Sequence, residues 1–252
     1  MNKSIPSPRR IAEEAARLYR AKANPARAAQ AQKYFKDRVR CFGLSSPEAR
    51  EIAAGLYLKV KGAWSAAEAV ALGDIVFRRP ELEFKGLGAL MLLRFKKGFP
   101  KSLFDKIKGW LAADLLDNWA SVDILCPDAV GALLVAYPEL RTKIKAWAVH
   151  PNLWVRRGSL VSYIKLAKRA EFTPKAYAMA RAHFGSRDDL IHKATGWLLR
   201  EAGKADMGAL EAFLRAHGPA VPRTALRYAI ERFPAAKRRA LLEATRKKER
   251  IP

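Results

Sequence analysis

The sequence predicts an all-α fold, and three observations lead to that prediction. Apolar residues recur with the helical period of about 3.6 residues along nearly the whole chain. Prolines occur at irregular intervals, and several directly precede a helical pattern, where the missing N–H of proline costs nothing. No segment shows the strict alternation of apolar and polar residues that is typical of a half-buried strand.

The helical patterns follow one another along the chain. Three early segments place apolar residues at helical spacings: Ile52, Leu56, Val60; Leu87, Leu90, Met91; and Leu103, Ile107, Leu111. Asn152 is a good helix N-cap, and the helix predicted from Asp188 has an apolar stripe through Ile191, Ala194, Leu198 and Ala202. Three tryptophans lie among apolar neighbours and are predicted to be core: Trp64, Trp110 and Trp147.

An internal repeat underlies these helices. Large apolar residues begin helical segments at Phe84, Trp119, Trp154 and Leu190, with spacings of 35, 35 and 36 residues. This period fits two antiparallel helices per unit, stacked as in HEAT-like solenoids. We therefore predict a HEAT-like helical-repeat solenoid, spanning residues 1–252 as one domain, whose concave face is basic. Residues 246–252 form either a helix end or a loose basic tail.

The composition favours a polyanionic partner. The chain has 48 Lys and Arg against 24 Asp and Glu, a net charge of +24. A basic protein that neutralises phosphates releases condensed counterions, so nucleic acid is the expected partner. No stretch approaches the roughly 18 apolar residues of a membrane-spanning helix, and no signal peptide is recognisable. We expect a soluble, cytoplasmic monomer that associates with the nucleoid when bound to DNA, and no membrane partner.

Cysteine and histidine give no support for a metal or a disulfide. Cys41 and Cys126 lie far apart and belong to no CxxC or Cys/His set. The four histidines show no spacing typical of metal ligands. The sequence therefore predicts no metal and no cofactor, and both cysteines are expected to pack as small apolar residues.

Trp119 and Asp123 are the first candidates for chemistry. They are four residues apart, so they share one face of a helix. Pro127 would open or kink that helix just after Asp123, because it has no N–H to donate. A protein that binds a polyanion has little electrostatic reason to present an acid to its ligand. The alternative is that Asp123 forms a buried salt bridge between repeats and that Trp119 is core.

Two further positions are candidates for DNA contact. Arg157 could bind a phosphate or form an ion pair between repeats, and only one of Arg156 and Arg157 readily faces a ligand. Trp197 lies off the centre of the apolar stripe of its helix, between Lys193 and Arg200. A tryptophan flanked by cations is typical of a stacking surface beside phosphate contacts, although packing at a repeat junction is the alternative.

Three segments resemble the AlkD-type DNA glycosylases of the DNA alkylation repair family. They are residues 117–123 (DNWASVD), 152–157 (NLWVRR) and 192–201 (HKATGWLLRE). Residues 33–35 (KYF), leading to 42–48 (FGLSSPE), are also similar. The resemblance spans roughly residues 10–235 with order and spacing kept. The chain departs from the family pattern at Asn118, where the family usually has a second aromatic residue.

The resemblance implies a HEAT-like glycosylase that removes cationic alkylpurines, such as N3-methyladenine and N7-methylguanine, from duplex DNA. It implies that Asp123 acts at the sugar, that Trp119 and Trp197 line the cleft, and that Arg157 lies nearby. Tyr34 matches a tyrosine placed near the DNA. It also implies contacts to the backbone and sugar, without the snug base pocket into which most glycosylases flip the base.

The chemistry agrees with these residues, because a purine alkylated at N3 or N7 is already a good leaving group. One carboxylate can stabilise the oxocarbenium-like sugar, and tryptophan faces stabilise positive charge. Neighbouring Arg and Lys would favour the ionised form of Asp123. Two functions from other classes stay open: a non-catalytic HEAT-like module that binds damaged or branched DNA, and a protein-binding HEAT scaffold with an acidic partner.

Overall fold

The structure, a computed structural model, describes residues 5–246, and the regular elements of this part of the chain are helices. It contains α-helices and short 3-10 helices but no strand; the one β-bridge joins Arg40 and Glu81. The prediction of an all-α, helical-repeat fold is therefore confirmed. The described residues form two compact units, which divide between Leu133 and Leu134. Of the predicted basic tail, residues 247–252 lie outside the described residues.

The first unit contains seven complete helices within its described residues. They are α1 (Pro8–Ala21), α2 (Pro25–Gln32), α3 (Ser46–Leu58), α4 (Ala66–Val76), α5 (Leu82–Leu93), α6 (Leu103–Ala112) and α7 (Trp119–Leu125). A 3-10 turn, Lys96–Gly98, precedes α6. α5 packs against α3, α4 and α7, so it is the central helix of this unit. Trp64 and Trp110 are buried in its core, as predicted.

The division between the units falls within α8 (Ala129–Ala136). The second unit continues with α9 (Leu140–Lys143), α10 (Leu153–Val161), α11 (Thr173–Ala182), α12 (Asp189–Ala202), α13 (Met207–His217), α14 (Arg223–Ala229) and α15 (Ala235–Ala244). Two 3-10 helices, Ile144–Val149 and Gly218–Ala220, connect these helices. α12 packs against α10, α11, α13 and α14 and forms the centre of the unit. Trp147 is buried, as predicted.

The repeat residues lie where the sequence period placed them. Phe84, Trp119, Trp154 and Leu190 fall within the first three residues of α5, α7, α10 and α12. Polar N-caps fix three of these starts, since Asn118, Asn152 and Asp188 each accept backbone N–H groups of the helix that follows. The period of about 35 residues therefore marks equivalent helix starts in successive repeats.

The segment after Asp123 is broken, as the position of Pro127 predicted. α7 ends at Leu125, and α8 begins at Ala129 after a turn.

One segment is long and apolar enough to span a membrane. By length and composition Trp119–Ala136 passes as such a segment, so the expectation that no stretch of the chain would do so is wrong for these residues. Because 56% of the segment is buried inside the protein, it also fits the core of a globular fold.

Neither Cys41 nor Cys126 forms a disulfide within the described residues. Cys126 is fully buried, as expected of a small apolar residue, whereas Cys41 is half-buried. Within residues 5–246 no three His, Cys, Asp or Glu side chains come together in a way that suits a metal ion.

Candidate functional site

Helix α7 presents Trp119 and Asp123 on its more accessible side. Asn118 begins the helix: its backbone is extended, and its side-chain oxygen accepts the N–H of Ser121 at 3.0 Å. Ser121, Val122 and Leu125 are buried, whereas Trp119 and Asp123 are half-exposed. Trp119 is therefore not a core residue, and both candidate side chains have an accessible surface.

Trp119 is held by the loop that connects α2 and α3. Its ring stacks on that of Phe35, with the ring centroids 5.2 Å apart and the planes inclined by 20°. Its indole Nε1–H donates to the backbone carbonyl of Tyr34 at 3.3 Å. The Tyr34 side chain itself is 76% exposed. The structure thus brings Tyr34 and Trp119 together, although they are far apart in sequence.

The start of α7 is anchored by a buried lysine. Lys85, on α5, is 3% exposed and donates from Nζ to the carbonyl oxygens of Phe77 at 2.7 Å and Leu115 at 2.6 Å. Burial lowers the pKa of Lys85, and the nearby charges of Asp117 and Glu81 act in the opposite direction. Because Leu115 lies three residues before the N-cap, Lys85 fixes the approach of the chain to Trp119.

In the second unit, Arg157 is a buried arginine. It is 5% exposed, and one guanidinium nitrogen donates to the carbonyl of Leu190 at 2.5 Å, which joins α10 to the start of α12. Arg156 turns elsewhere and donates to the carbonyl oxygens of His150 at 2.8 Å and Pro151 at 2.6 Å. The two arginines therefore point in different directions, as their helical positions predicted.

Helix α12 carries Trp197 between two cations that are already paired. Trp197 is half-exposed, whereas the apolar stripe beside it is fully buried. Lys193 binds Asp189 at 2.8 Å, and this hydrogen bond raises the pKa of Lys193. Arg200 forms an ion pair with Glu231, which lies just after α14, while the Nε of Arg200 is buried without a hydrogen-bond partner within residues 5–246.

Comparison with known proteins identifies the family. The family model described as "DNA alkylation repair enzyme" matches residues 16–233. The chain belongs to the DNA alkylation repair enzyme family. A solved structure, a predicted DNA alkylation repair enzyme from Enterococcus faecalis, has the same fold with a TM-score of 0.73. It is 20% identical, and the match covers 84% of this chain and 97% of that one. No curated protein matches the chain.

The predicted residues divide between the two units of this family member. The first unit holds Tyr34, Trp119 and Asp123. The second unit holds the remaining predicted residues: Arg156, Arg157, Lys193, Trp197 and Arg200. Their assignments to catalysis and DNA contact stay predictions.

Sequence reasoning missed three residues that shape these positions. Phe35 stacks on Trp119, Lys85 anchors the segment before α7, and Asn118 caps α7 where the family usually has an aromatic residue. Only Asn118 had a local signal, because an Asn directly before a helical pattern is a typical N-cap.

Proposed function

We propose that this member of the DNA alkylation repair enzyme family is a DNA glycosylase. Its substrates are cationic alkylpurines, N3-methyladenine and N7-methylguanine, in duplex DNA, and its reaction is the first step of base excision repair. The observation that carries the proposal is the pair Trp119 and Asp123, half-exposed and one turn apart on α7. A purely DNA-binding surface gains little from an accessible carboxylate, whereas cleavage of a glycosidic bond can use one.

The chemistry needs few groups. A purine alkylated at N3 or N7 carries a positive charge and leaves without protonation, so the two-carboxylate machinery of sugar hydrolases is unnecessary. Asp123 stabilises the developing oxocarbenium-like sugar and orients the attacking water. Trp119 and Trp197 stabilise positive charge through their ring faces. Water is the only co-reactant, and no cofactor is required.

The basic residues supply the affinity for DNA. Lys and Arg outnumber the acids two to one, and the phosphate contacts proposed in the second unit are made by Arg157, Lys193, Arg200 and Arg156. Lys193 and Arg200 are paired with carboxylates in the protein, so phosphate either replaces these partners or shares the cation with them. Tyr34, in the first unit, contacts the DNA backbone. In this proposal the protein acts on chromosomal DNA as a cytoplasmic monomer.

The proposal is tested by release of N7-methylguanine from a defined duplex. Asp123→Asn is expected to lower release by about 10²-fold or more, the scale of losing one electrostatic stabiliser of a transition state. Duplex binding is expected to be unchanged or tighter, because a charge that repels phosphate is removed. Asp128→Asn is the matched control, since it removes the same charge five residues away from another half-exposed position.

Three results would contradict the proposal in different ways. Duplex binding without release by the wild type would indicate a non-catalytic DNA-binding module. Unfolding of Asp123→Asn, seen by circular dichroism, would indicate that Asp123 is a structural salt-bridge residue. Equal loss of release in Asp128→Asn would indicate a general effect of charge rather than a specific role of Asp123.

A further inference from the structure

The side chain of Gln32 stabilises the loop that carries Phe35 through hydrogen bonds with the loop backbone. Gln32, the last residue of α2, donates from Nε2 to the carbonyl oxygens of Phe35 at 3.3 Å and Asp37 at 2.9 Å. Its Oε1 accepts the N–H of Val39 at 2.9 Å. The three hydrogen bonds close the chain around the Gln32 amide. These hydrogen bonds restrain the backbone on both sides of Phe35.

The second half of the same loop is held by a buried carboxylate on α5. Glu83 is 8% exposed and accepts the N–H groups of Phe42 at 3.0 Å, Gly43 at 2.9 Å and Leu44 at 3.2 Å. Burying a carboxylate is unfavourable unless such charge-assisted hydrogen bonds compensate. Gly43 has φ of +81°, and a Cβ there would lie 2.2 Å from the carbonyl oxygen of Asn24. This end of the loop has one tightly specified conformation.

Phe35 joins this rigid loop to α7. Its ring stacks on Trp119, and the adjacent carbonyl of Tyr34 accepts the indole N–H. Phe35 and Trp119 are both half-exposed, so the pair is not simply part of the core. With one face of the indole covered by Phe35, a ligand can reach Trp119 only at its opposite face or its edge.

The same loop exposes a run of cations. Its exposed residues are Lys33, Tyr34, Lys36, Asp37, Arg38 and Arg40, of which four are basic and one is acidic. Both ends of this loop are held by hydrogen bonds, and Phe35 connects the loop to Trp119. Phosphates bound by the cations would therefore lie on the same restrained loop that contacts Trp119. The loop therefore combines a surface for the DNA backbone with a direct contact to the proposed catalytic helix.

We propose that Phe35 is a positioning residue for Trp119. It holds the indole in one orientation against the basic loop, so that DNA held by the loop meets Trp119 in the orientation needed for base release. This inference rests on the proposed glycosylase function. The role of Phe35 is to act through Trp119, not to contact the reacting atoms.

The test removes the ring and keeps an apolar side chain. Phe35→Leu is expected to slow single-turnover release of N7-methylguanine by about three- to tenfold, the scale of one stacked aromatic pair. Duplex affinity is expected to stay within about twofold, because no cation is lost. Phe35→Tyr, which restores a ring, is expected to recover the rate. Phe95→Leu is the matched control, since Phe95 is half-buried and pairs with Tyr57 in the same unit.

A second measurement observes Trp119 directly. In ¹H–¹⁵N NMR spectra, the indole N–H signal, assigned with Trp119→Phe, is expected to shift and to exchange faster with solvent in Phe35→Leu. Phe95→Leu is expected to leave that signal unchanged. If Phe35→Leu does not fold, Phe35→Met provides the same comparison with an unbranched, ring-free side chain.

Two outcomes would overturn the inference. One is release at the wild-type rate by the ring-free variant, and the other is an indole signal identical to that of the wild type. A wild type that releases no base would instead overturn the proposed function. In that case the indole signal alone decides whether Phe35 positions Trp119, so the two failures are distinguishable.

Discussion

Arg157 combines a proposed role in DNA binding with a structural contact. Its hydrogen bond to the carbonyl of Leu190 joins α10 to α12, and only 5% of the residue is exposed. A guanidinium has five N–H donors in a rigid fork, so it can hold a carbonyl and still offer donors to a phosphate.

Arg157→Ala is expected to weaken duplex binding and to flatten the plot of log affinity against log salt by about one unit, because one phosphate contact is lost. The measurement is a salt titration of duplex affinity. Arg215→Ala, which removes an exposed arginine paired with Glu211, is expected to keep the wild-type slope. An unchanged slope in Arg157→Ala, together with lower stability, would restrict Arg157 to its structural contact.

Single residues of the candidate site were predictable only where a local pattern or the family resemblance marked them. Trp119 and Asp123 share a helical face by spacing alone, and Asn152 is the N-cap that the sequence predicted. The stack of Phe35 on Trp119 had no such signal. It joins residues more than 80 positions apart, and no periodicity within either segment reports that contact.

At the scale of the element, the repeat was visible because it is tied to helix starts. A large apolar residue near the first turn of α5, α7, α10 and α12 recurs at almost constant spacing. Short elements such as α9, with four residues, are too brief to show a period, so they were not predicted. The break after Leu125 was predictable because Pro127 cannot continue the helical hydrogen-bond ladder.

Gly196 shows why one position of α12 requires glycine. A Cβ there would lie 2.4 Å from the carbonyl oxygen of Ala225 and 2.4 Å from the Cβ of Tyr228, both on α14. These atoms belong to backbone or lie next to it, so no side-chain rotation can relieve the clash. The close packing of α12 and α14 thus depends on glycine at position 196, next to Trp197. Gly55, in the middle of α3, has no neighbouring atom within 4 Å of such a Cβ.

Gly196→Ala is therefore expected to lower the free energy of unfolding by about 1–3 kcal/mol, the usual cost of overpacking. Gly55→Ala is expected to raise it by roughly 0.5–1 kcal/mol, because alanine is the better helix former and meets nothing. Urea denaturation of both variants checks the pair. Equal effects in the two variants would show that helix propensity, and not the contact with α14, decides the cost at Gly196.

At the scale of the whole molecule, composition predicted the class of partner and periodicity predicted the fold. An excess of 24 positive charges does not favour one helical fold over another, and helical repeats alone do not identify a ligand. The expectation of DNA repair chemistry came from the resemblance of residues 117–123, 152–157 and 192–201 to a repair family, and the family match over residues 16–233 agrees with it. The basic concave face stays a prediction, because charge in a sequence does not determine which helix faces share a surface.

The stability of the folded chain should depend on pH through a buried histidine. His183, at the end of α11, is 2% exposed, and its Nε2 lies 2.9 Å from Oγ of Ser159 on α10. Burial, and secondarily the charge of Arg156, lowers the pKa of His183 from 6.5 to about 4. Between pH 6.5 and about 4 the unfolded chain binds a proton at His183 that the folded chain does not. The free energy of unfolding therefore decreases as the pH falls through this range.

The full contribution of His183 is present above pH 6.5 and decreases as the pH falls toward 4. It amounts to on the order of 3 kcal/mol of unfolding free energy. Denaturant unfolding of wild type and His183→Gln across this range should show a shallower pH dependence in the variant, because glutamine can bond Ser159 but does not titrate. His217→Gln controls for the loss of a histidine as such. Parallel curves for wild type and His183→Gln would mean that the charged imidazole is accommodated where it lies, and that this part of the second unit tolerates a buried cation.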